Sequence, residues 1–244
     1  MDMKKNKKTL CAGIHQPNFM PWLGFFYKWS KCDTFVFLDD VQFTKGSIIS
    51  RVKIKTIKSD QWLTIPVKQK GHYPQLISEV EIENNIKWGK KVLGTIKANY
   101  ARAPYFKKYF SDFEDIINKN YNFLVDLNID LLKWLANELN IKINTLRSSE
   151  LSNIKGKSTE KLISICNSIG AKQYLSGFGG QKYQKKDLFK KNNIELIMYD
   201  FKHPEYNQLW GQFIPGLSII DLLFNLGPES GKILTEKGSI KSEL

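Results

Sequence analysis

Leu10-Cys11-Ala12-Gly13-Ile14-His15-Gln16-Pro17-Asn18-Phe19-Met20-Pro21-Trp22-Leu23-Gly24-Phe25-Phe26-Tyr27-Lys28 and the run that follows, Asp33-Thr34-Phe35-Val36-Phe37-Leu38-Asp39-Asp40, decide the fold. Leu10 to Ile14 is a short apolar run with the length of a strand. From Trp22 to Lys31 the apolar side chains fall at helical spacing, at Trp22, Phe25, Phe26 and Trp29, and Pro21 suits a first helical turn. Thr34 to Leu38 is β-branched and aromatic and bounded by acids, which predicts a buried strand. Strand, helix and strand on short links make a βαβ unit with parallel strands. His15 therefore sits at the carboxyl end of a strand, the edge of an open α/β sheet where ligands bind.

Further along, the polar loop Thr44-Lys45-Gly46-Ser47 leads into an alternating run from Arg51 to Lys55. Trp62 to Val67 reads as a strand with Pro66 at its end or on a sheet edge. Lys68 to Pro74 is a basic loop, and Leu76 to Ile82 has the composition of another strand. Helical periodicity then takes over. Lys87 to Tyr100 is amphipathic, Ala103-Pro104 breaks it, and Tyr105 to Ile117 and Tyr121 to Leu139 follow. The stripe Leu124, Leu127, Leu131, Leu132 and Leu135 is core packing. Alternation resumes with strands at Ile141 to Leu146, Lys172 to Gly177 and Ile194 to Asp200. Helices are predicted at Ser158 to Ser168, Leu188 to Asn192 and Ser218 to Asn225, and Thr235 to Leu244 reads as a frayed polar end. The expected fold is α/β, one domain over 1–244. Its parallel-sheet core comes from 1–86 and 141–225, and 87–140 forms a central helical insertion.

A chain of 244 residues can bury a sizeable core, and 42% hydrophobic with 13% aromatic residues is a globular composition. No apolar run has the length of a membrane span. The basic start, Met1 to Lys8, is not followed by a long apolar segment, so it is not read as a signal peptide, and a cytoplasmic location is expected. Cys11, Cys32 and Cys166 are scattered and odd in number, which argues against a disulfide framework and a cysteine zinc site. No His-x-x-x-His or His-x-His spacing occurs, so no metal site is expected. The net charge of +13 is carried by lysine; Arg51, Arg102 and Arg147 are the only arginines. Nucleic-acid readers favour arginine, whose planar fork matches phosphates and guanine edges. The charge is read as lysine-rich background or attraction to an anionic small molecule, with no nucleic-acid partner.

Lone histidines are commonly satisfied surface or core groups. His15 differs because prolines 17 and 21 stiffen the loop after it, and Gln16 adds a donor and an acceptor. Asp39 and Asp40 end the second strand and share an edge with His15. Adjacent acids on a strand point in opposite directions, so one of the two faces the site. It would orient His15, bind an amine, or hold Mg²⁺ through water; a turn aspartate is the plainer reading. Arg51 is an anchor for a carboxylate or phosphate. Ser176-Gly177-Phe178-Gly179-Gly180 lets backbone N–H groups approach an anion, with Ser176 as a further donor. His203-Pro204 follows the last strand, so two strand-end histidines with an acid between them would form an acid/base pair. Asp221 reads as a first-turn helix acid.

The opening shape resembles that of nucleotidylyltransferases, whose first strand runs into His-x-x-x-His or His-x-Gly-His. His15 and Gly24 fit, but Phe25 stands where the second histidine belongs. A resemblance spanning nearly the whole chain is carried by His15-Gln16-Pro17-x-Phe19-x-Pro21-Trp22-x-Gly24-Phe25-Phe26-x-Lys28, Leu38-Asp39-Asp40-Val41-Gln42 and Arg51. It continues through Trp62 to Val67, Asn99-Tyr100, Pro104-Tyr105, Tyr174-Leu175-Ser176-Gly177 and Tyr183. It ends with His203-Pro204-x-Tyr206-x-Gln208 and Phe213-x-Pro215-x-Leu217-Ser218-Ile219-Ile220-Asp221. In these residues the chain resembles the WbqC-like protein family, bacterial proteins often found with surface-polysaccharide or natural-product genes. The resemblance adds Trp22, Lys28, Gln42, Tyr100, Gly177, Tyr183, Tyr206 and Gln208 to Gln16, Arg51 and Ser176 as expected substrate-binding residues. His15, Asp39, Asp40 and His203 are the expected catalytic set.

The first expectation is an acyl- or aminoacyltransferase that forms an amide on a nucleotide-linked amino sugar or similar amine. Its donor would be a thioester of coenzyme A or of an acyl or peptidyl carrier protein. The second is a nucleotidylyltransferase-like enzyme using ATP or CTP with Mg²⁺. The third is a non-catalytic binding protein in polysaccharide assembly.

Overall fold

The computed structural model describes residues 9–68, 71, 74–177, 179, 184–236 and 238–242, the last five by backbone alone. Tyr183 and most of the glycine loop, 178 and 180–182, lie outside the described residues.

The opening unit forms as read. Strand β1 (Cys11–His15), helix α1 (Leu23–Ser30) and strand β2 (Thr34–Phe37) put β1 and β2 side by side and parallel, Ala12 against Thr34 and His15 against Phe37. Three more parallel strands extend this pair: β5 (Asn144–Arg147), β6 (Gln173–Gly177) and β7 (Glu195–Phe201). The short antiparallel hairpin β3 (Arg51–Lys55) and β4 (Asp60–Thr64) stands apart from this sheet. The sheet order is β5-β2-β1-β6-β7, with β8 (Gly238–Ser242) antiparallel on the β7 edge. Counted in chain order, the five parallel strands run 3-2-1-4-5, the doubly wound order. The direction of winding reverses between β1 and β6, which makes that junction the switch point.

Side-chain alternation explains why helices cover both faces. Cys11, Phe35, Phe37, Leu175, Ile197 and Tyr199 point into one core with α1 and the central helices. Ala12, Ile14, Val36, Tyr174, Leu196 and Met198 point into a second core, under α5 (Thr159–Ser168) and α6 (Lys186–Lys191). The helices of 87–140 are α2 (Trp88–Tyr100), α3 (Phe106–Ile117) and α4 (Leu124–Glu138). The α4 leucine stripe is buried in the first core together with the inward residues of the sheet.

Two sequence expectations fail. Leu76 to Ile82 is not a strand: Ile77–Glu79 is a 3₁₀ turn, with the Glu79 carboxylate accepting the Leu76 N–H at 2.9 Å. Its buried positions, Ile77, Val80 and Ile82, do not keep the two-residue period a half-buried strand needs. The end of the chain is not frayed throughout. After α7 (Ile219–Leu226), α8 (Ser230–Glu236) leads into β8, which covers the β7 edge that would otherwise be open.

Three buried contacts fix the loop after His15. Asn128, fully buried in the leucine stripe of α4, donates to the Pro17 and Ile49 carbonyls, both at 2.8 Å. Ser218, at the N-cap of α7, donates to the Met20 carbonyl at 2.7 Å. The Phe19 N–H reaches the Ile48 carbonyl at 3.2 Å.

Candidate functional site

The β1–β6 ladder stops at Gly13 and Leu175, although β1 stays paired to β2 up to His15 and β6 to β7 up to Gly177. The two strands therefore part at the switch point, and a cavity of about 510 Å³ lies at their carboxyl ends. Ile14, His15 and Gln16 line it from β1, and Leu38 and Val41 from the segment after β2. Ser158, Lys161 and Leu162 form the α5 wall; Tyr174 and Gln184 complete it. A groove of about 590 Å³ between Lys172, Lys190 and Glu195 lies at the opposite, amino-terminal edge of β6 and β7, away from the position where doubly wound sheets bind ligands.

His15 is half-buried at the lip of this cavity, with its ring edge-on to Phe25 at 4.8 Å. Nδ1 lies 3.0 Å from the Gln16 carbonyl. A carbonyl only accepts, so Nδ1 carries the hydrogen and Nε2 keeps its lone pair. Burial, helped by the Lys28 ammonium, pushes the imidazole down to about 4, so it is neutral near pH 7. Phe25, at the position of the second histidine of the nucleotidylyltransferase signature, is part of the apolar surround that desolvates it.

Lys28 is buried at 3% exposure. Its Nζ takes the carbonyl of Ile14, one that no β6 ladder pair uses, at 2.6 Å, and lies 5.4 Å over the Tyr174 ring. Burial lowers it to about 8, and no carboxylate among the described residues pairs with it. Beneath, burial pushes the Cys11 thiol up to about 11 and those of Cys32 and Cys166 to about 12, which leaves no thiolate nucleophile near pH 7.

β2 stops at Phe37, so the two adjacent acids lie beyond the strand, and strand alternation does not separate them; each has its own main partner. Asp39 is fully buried and turned into the protein, where Arg147 Nε donates at 2.7 Å, the Ser149 N–H at 3.0 Å and the Ser149 hydroxyl at 2.8 Å. It ties β2 to β5. Asp40 faces α5, where Lys161 Nζ meets its carboxylate at 2.6 Å and its carbonyl at 2.8 Å. Asp40 thus sets the position of Lys161 on the cavity wall. The Ser148 hydroxyl sits between the two acids. Ser176 is buried at the end of β6 and accepts the Gln184 amide at 2.8 Å. Gly177 packs its backbone so close to Tyr199 that an added Cβ would meet the phenol oxygen at 2.9 Å. Gln42 is exposed, bridged to Leu76.

Among the described residues, only His15 and Gln16 of the expected set line this cavity. His203 lies among Trp22, Phe201, Tyr206 and Phe213, with the Trp22 ring nearly parallel at 6.3 Å. Burial lowers its pKa too, and its buried Nε2 has no protein partner among the described residues. Trp22 and Arg51 line a separate groove of about 80 Å³, with the Arg51 guanidinium 4.3 Å over Trp62. Tyr100, Tyr206 and Gln208 belong to a buried network that sequence reasoning did not assemble. Both tyrosine hydroxyls donate to Asp221, at 2.9 and 2.8 Å, and Gln208 accepts from Lys55 Nζ at 2.9 Å. Asp221 does lie in the first turn of α7, and it is also the acceptor at the centre of this network. Burial raises its pKa, against the two tyrosine hydrogen bonds, and the only hint in sequence is its place between the apolar pairs Ile219-Ile220 and Leu222-Leu223. Lys161 and Gln184 were also missed as cavity residues, and nothing in their local sequence marks them; Tyr174 stands in the Tyr174-Leu175-Ser176-Gly177 motif but was not singled out.

A neutral imidazole with a free lone pair, an amide and a lysine surround a cavity at the carboxyl edge of the parallel sheet of this α/β protein, the position where doubly wound folds bind ligands. The chain belongs to the WbqC-like protein family, whose model matches residues 16–233. It is 34% identical over 221 residues to an uncharacterised protein of Mycobacterium tuberculosis, an alignment covering 90% of this chain and 95% of the relative. No solved structure matches the chain significantly. No described helix is long and apolar enough to cross a membrane, and no group of three or more histidine, cysteine or acidic side chains among the described residues is arranged to hold a metal ion.

Proposed function

We propose that the protein is an acyl- or aminoacyltransferase that forms an amide on an amino sugar or similar amine in bacterial surface-polysaccharide or natural-product biosynthesis. The observation that carries this reading is His15, neutral and with Nε2 free, at the mouth of the switch-point cavity. In the reaction the amine nitrogen attacks the thioester carbonyl. Nε2 takes the proton of the nitrogen as the C–N bond forms, and the C–S bond breaks to release a thiol, which receives that proton. Gln16 holds the amine or a neighbouring hydroxyl. The three cysteines are protonated and, among the described residues, no serine is paired with a histidine, so direct transfer fits better than a covalent acyl-enzyme.

The test mixes the protein with a thioester-loaded carrier and a nucleotide-linked amino sugar and follows amide formation by mass spectrometry. His15→Ala should lower the rate by roughly 10² or more. Undiminished turnover in that variant overturns the role of His15, and the absence of any amide across a panel of loaded carriers and amines overturns the reaction.

The 3-2-1-4-5 strand order favours a second reading, a nucleotidylyltransferase-like enzyme that binds ATP or CTP with Mg²⁺ at the same edge. Phe25 against the His15 ring speaks against it, because it stands where a second imidazole would grip the phosphates. Calorimetry with ATP and CTP plus Mg²⁺ decides: no binding removes this reading.

A further inference from the structure

We propose that the cavity beside His15 is an anion site, in which Lys28 and Lys161 bind a phosphate or carboxylate carried by the substrate. The inference rests on the reading of this cavity as the reaction site and names the charge its substrate must bring.

Lys28 is the starting point. An ammonium has three donors, and the described residues give this one a single hydrogen-bond acceptor, the Ile14 carbonyl. Taking a charge out of water without an opposite charge is costly, and buried lysines are normally paired. The fold keeps this one where β1 and β6 separate, bonded to Ile14 and over Tyr174, two residues that line the cavity. Lys28 stands behind these two residues, and the cavity wall itself holds Lys161 and includes no aspartate or glutamate among its lining residues. Asp40 contacts that wall, and its carboxylate is engaged by Lys161 and Ser148. Asp40 offsets part of the Lys161 charge, so the charge without a carboxylate partner among the described residues is that of Lys28, and it attracts a negative group brought close to it.

Lysine suits this task as a compact point charge for phosphate or carboxylate. A bound anion would complete the coordination of Lys28. It would also offset the field that Lys28 exerts on His15, making the imidazole a stronger base once substrate is in place. A nucleotide-linked sugar and a phosphopantetheine thioester supply phosphate; an amino acid or uronic acid supplies carboxylate.

Calorimetry at pH 7 with inorganic phosphate, pyrophosphate and acetate tests the site and separates phosphate from carboxylate. Wild-type protein should bind at least one of them. Lys28→Met should weaken binding by roughly tenfold or more, the loss of one charge-assisted contact, and Lys161→Met should weaken it too. Lys90→Met, an exposed lysine on α2, should stay within about twofold. No binding of any of the three anions overturns the proposal, as does a Lys28→Met protein that binds like wild type. Should Lys28→Met fail to fold, the wild-type protein decides. Its affinity must fall as pH rises from 7 to 9.5, where Lys28 loses its proton ahead of exposed lysines, and an unchanged affinity overturns the site. Anion binding without acyl transfer would remove the proposed reaction and leave this site standing. Transfer between uncharged partners with no anion bound would do the reverse.

Discussion

Replacing Asn128 with leucine tests how the His15 loop is held. Asn128 is fully buried between apolar neighbours on α4, and its amide nitrogen donates to two carbonyls, of Pro17 and Ile49, each at 2.8 Å. Leucine is close in volume but has no donor, so both carbonyls would be left unsatisfied in a dry interior. Each lost bond costs about 1–3 kcal/mol. A partial offset comes from the Asn128 Oδ1, itself buried without a partner, which leucine removes. The net loss is about 2–3 kcal/mol, a drop of roughly 4–12 °C in Tm for a chain of this size. Urea and thermal unfolding followed by circular dichroism measure it. The loop begins two residues after His15, so the imidazole Nδ1–H signal in proton-nitrogen NMR should broaden or shift. Asn128→Asp should be worse at pH 7 than at pH 4, because a carboxylate would face two carbonyl oxygens, whereas the protonated acid keeps one donor. A leucine variant within about 0.5 kcal/mol of wild type, with an unmoved His15 signal, would refute this account of how the loop is positioned.

Arg147→Met should destabilise by about 3 kcal/mol, since it strips the guanidinium from fully buried Asp39 and leaves only serine donors; chemical denaturation reads it, and a change below about 1 kcal/mol would mean that the serines suffice. Gly13→Ala should cost about 1–3 kcal/mol, because an added Cβ would meet Cys32 Sγ and the Phe35 ring at 2.9 Å between β1 and α1. The pH dependence has a definite sign at His15. Its folded pKa of about 4 lies below the ordinary histidine value of 6.5, so the unfolded chain binds the extra proton first as pH falls. The contribution of neutral His15 is present above pH 6.5 and is lost progressively between 6.5 and 4. His15→Asn should flatten that part of the stability curve, and the carbon-bound imidazole protons of His15 should titrate near 4 in NMR. A midpoint near 6.5 would contradict the burial that the fold assigns to this ring.

The local elements were legible because their signals are local. Short apolar runs of strand length mark β1, β2 and β7, and a 3.6-residue period marks α1 and α2 to α4, with the break at Ala103-Pro104 where backbone restrictions put it. The β4 bounds, Asp60–Thr64, fall earlier than Trp62 to Val67, since Pro66 cannot donate to a ladder. The position of His15 at a strand end was also legible, because it depends only on where the apolar run stops.

Which side chains stand around that histidine was not legible, because it is set by segments far apart in the chain. Asp39 and Arg147 meet from 108 residues away, a pairing that needs β5 beside β2. His15 and His203 both follow strands, yet His203 joins the aromatic cluster of Trp22 and Tyr206 while His15 lines a cavity closed by α5 and β6. The opening motif marked Lys28 as an expected substrate-binding residue but said nothing of its burial or its partner. Only the parting of β1 from β6 gives it a free carbonyl and a place beside the cavity. By itself the sequence determined the family, the α/β class and the strand-end position of His15, all of which reside in short-range patterns. The strand order, the division of roles between Asp39 and Asp40, and the buried charge of Lys28 were decided by tertiary structure, because burial and electrostatic pairing arise only when distant segments are packed together.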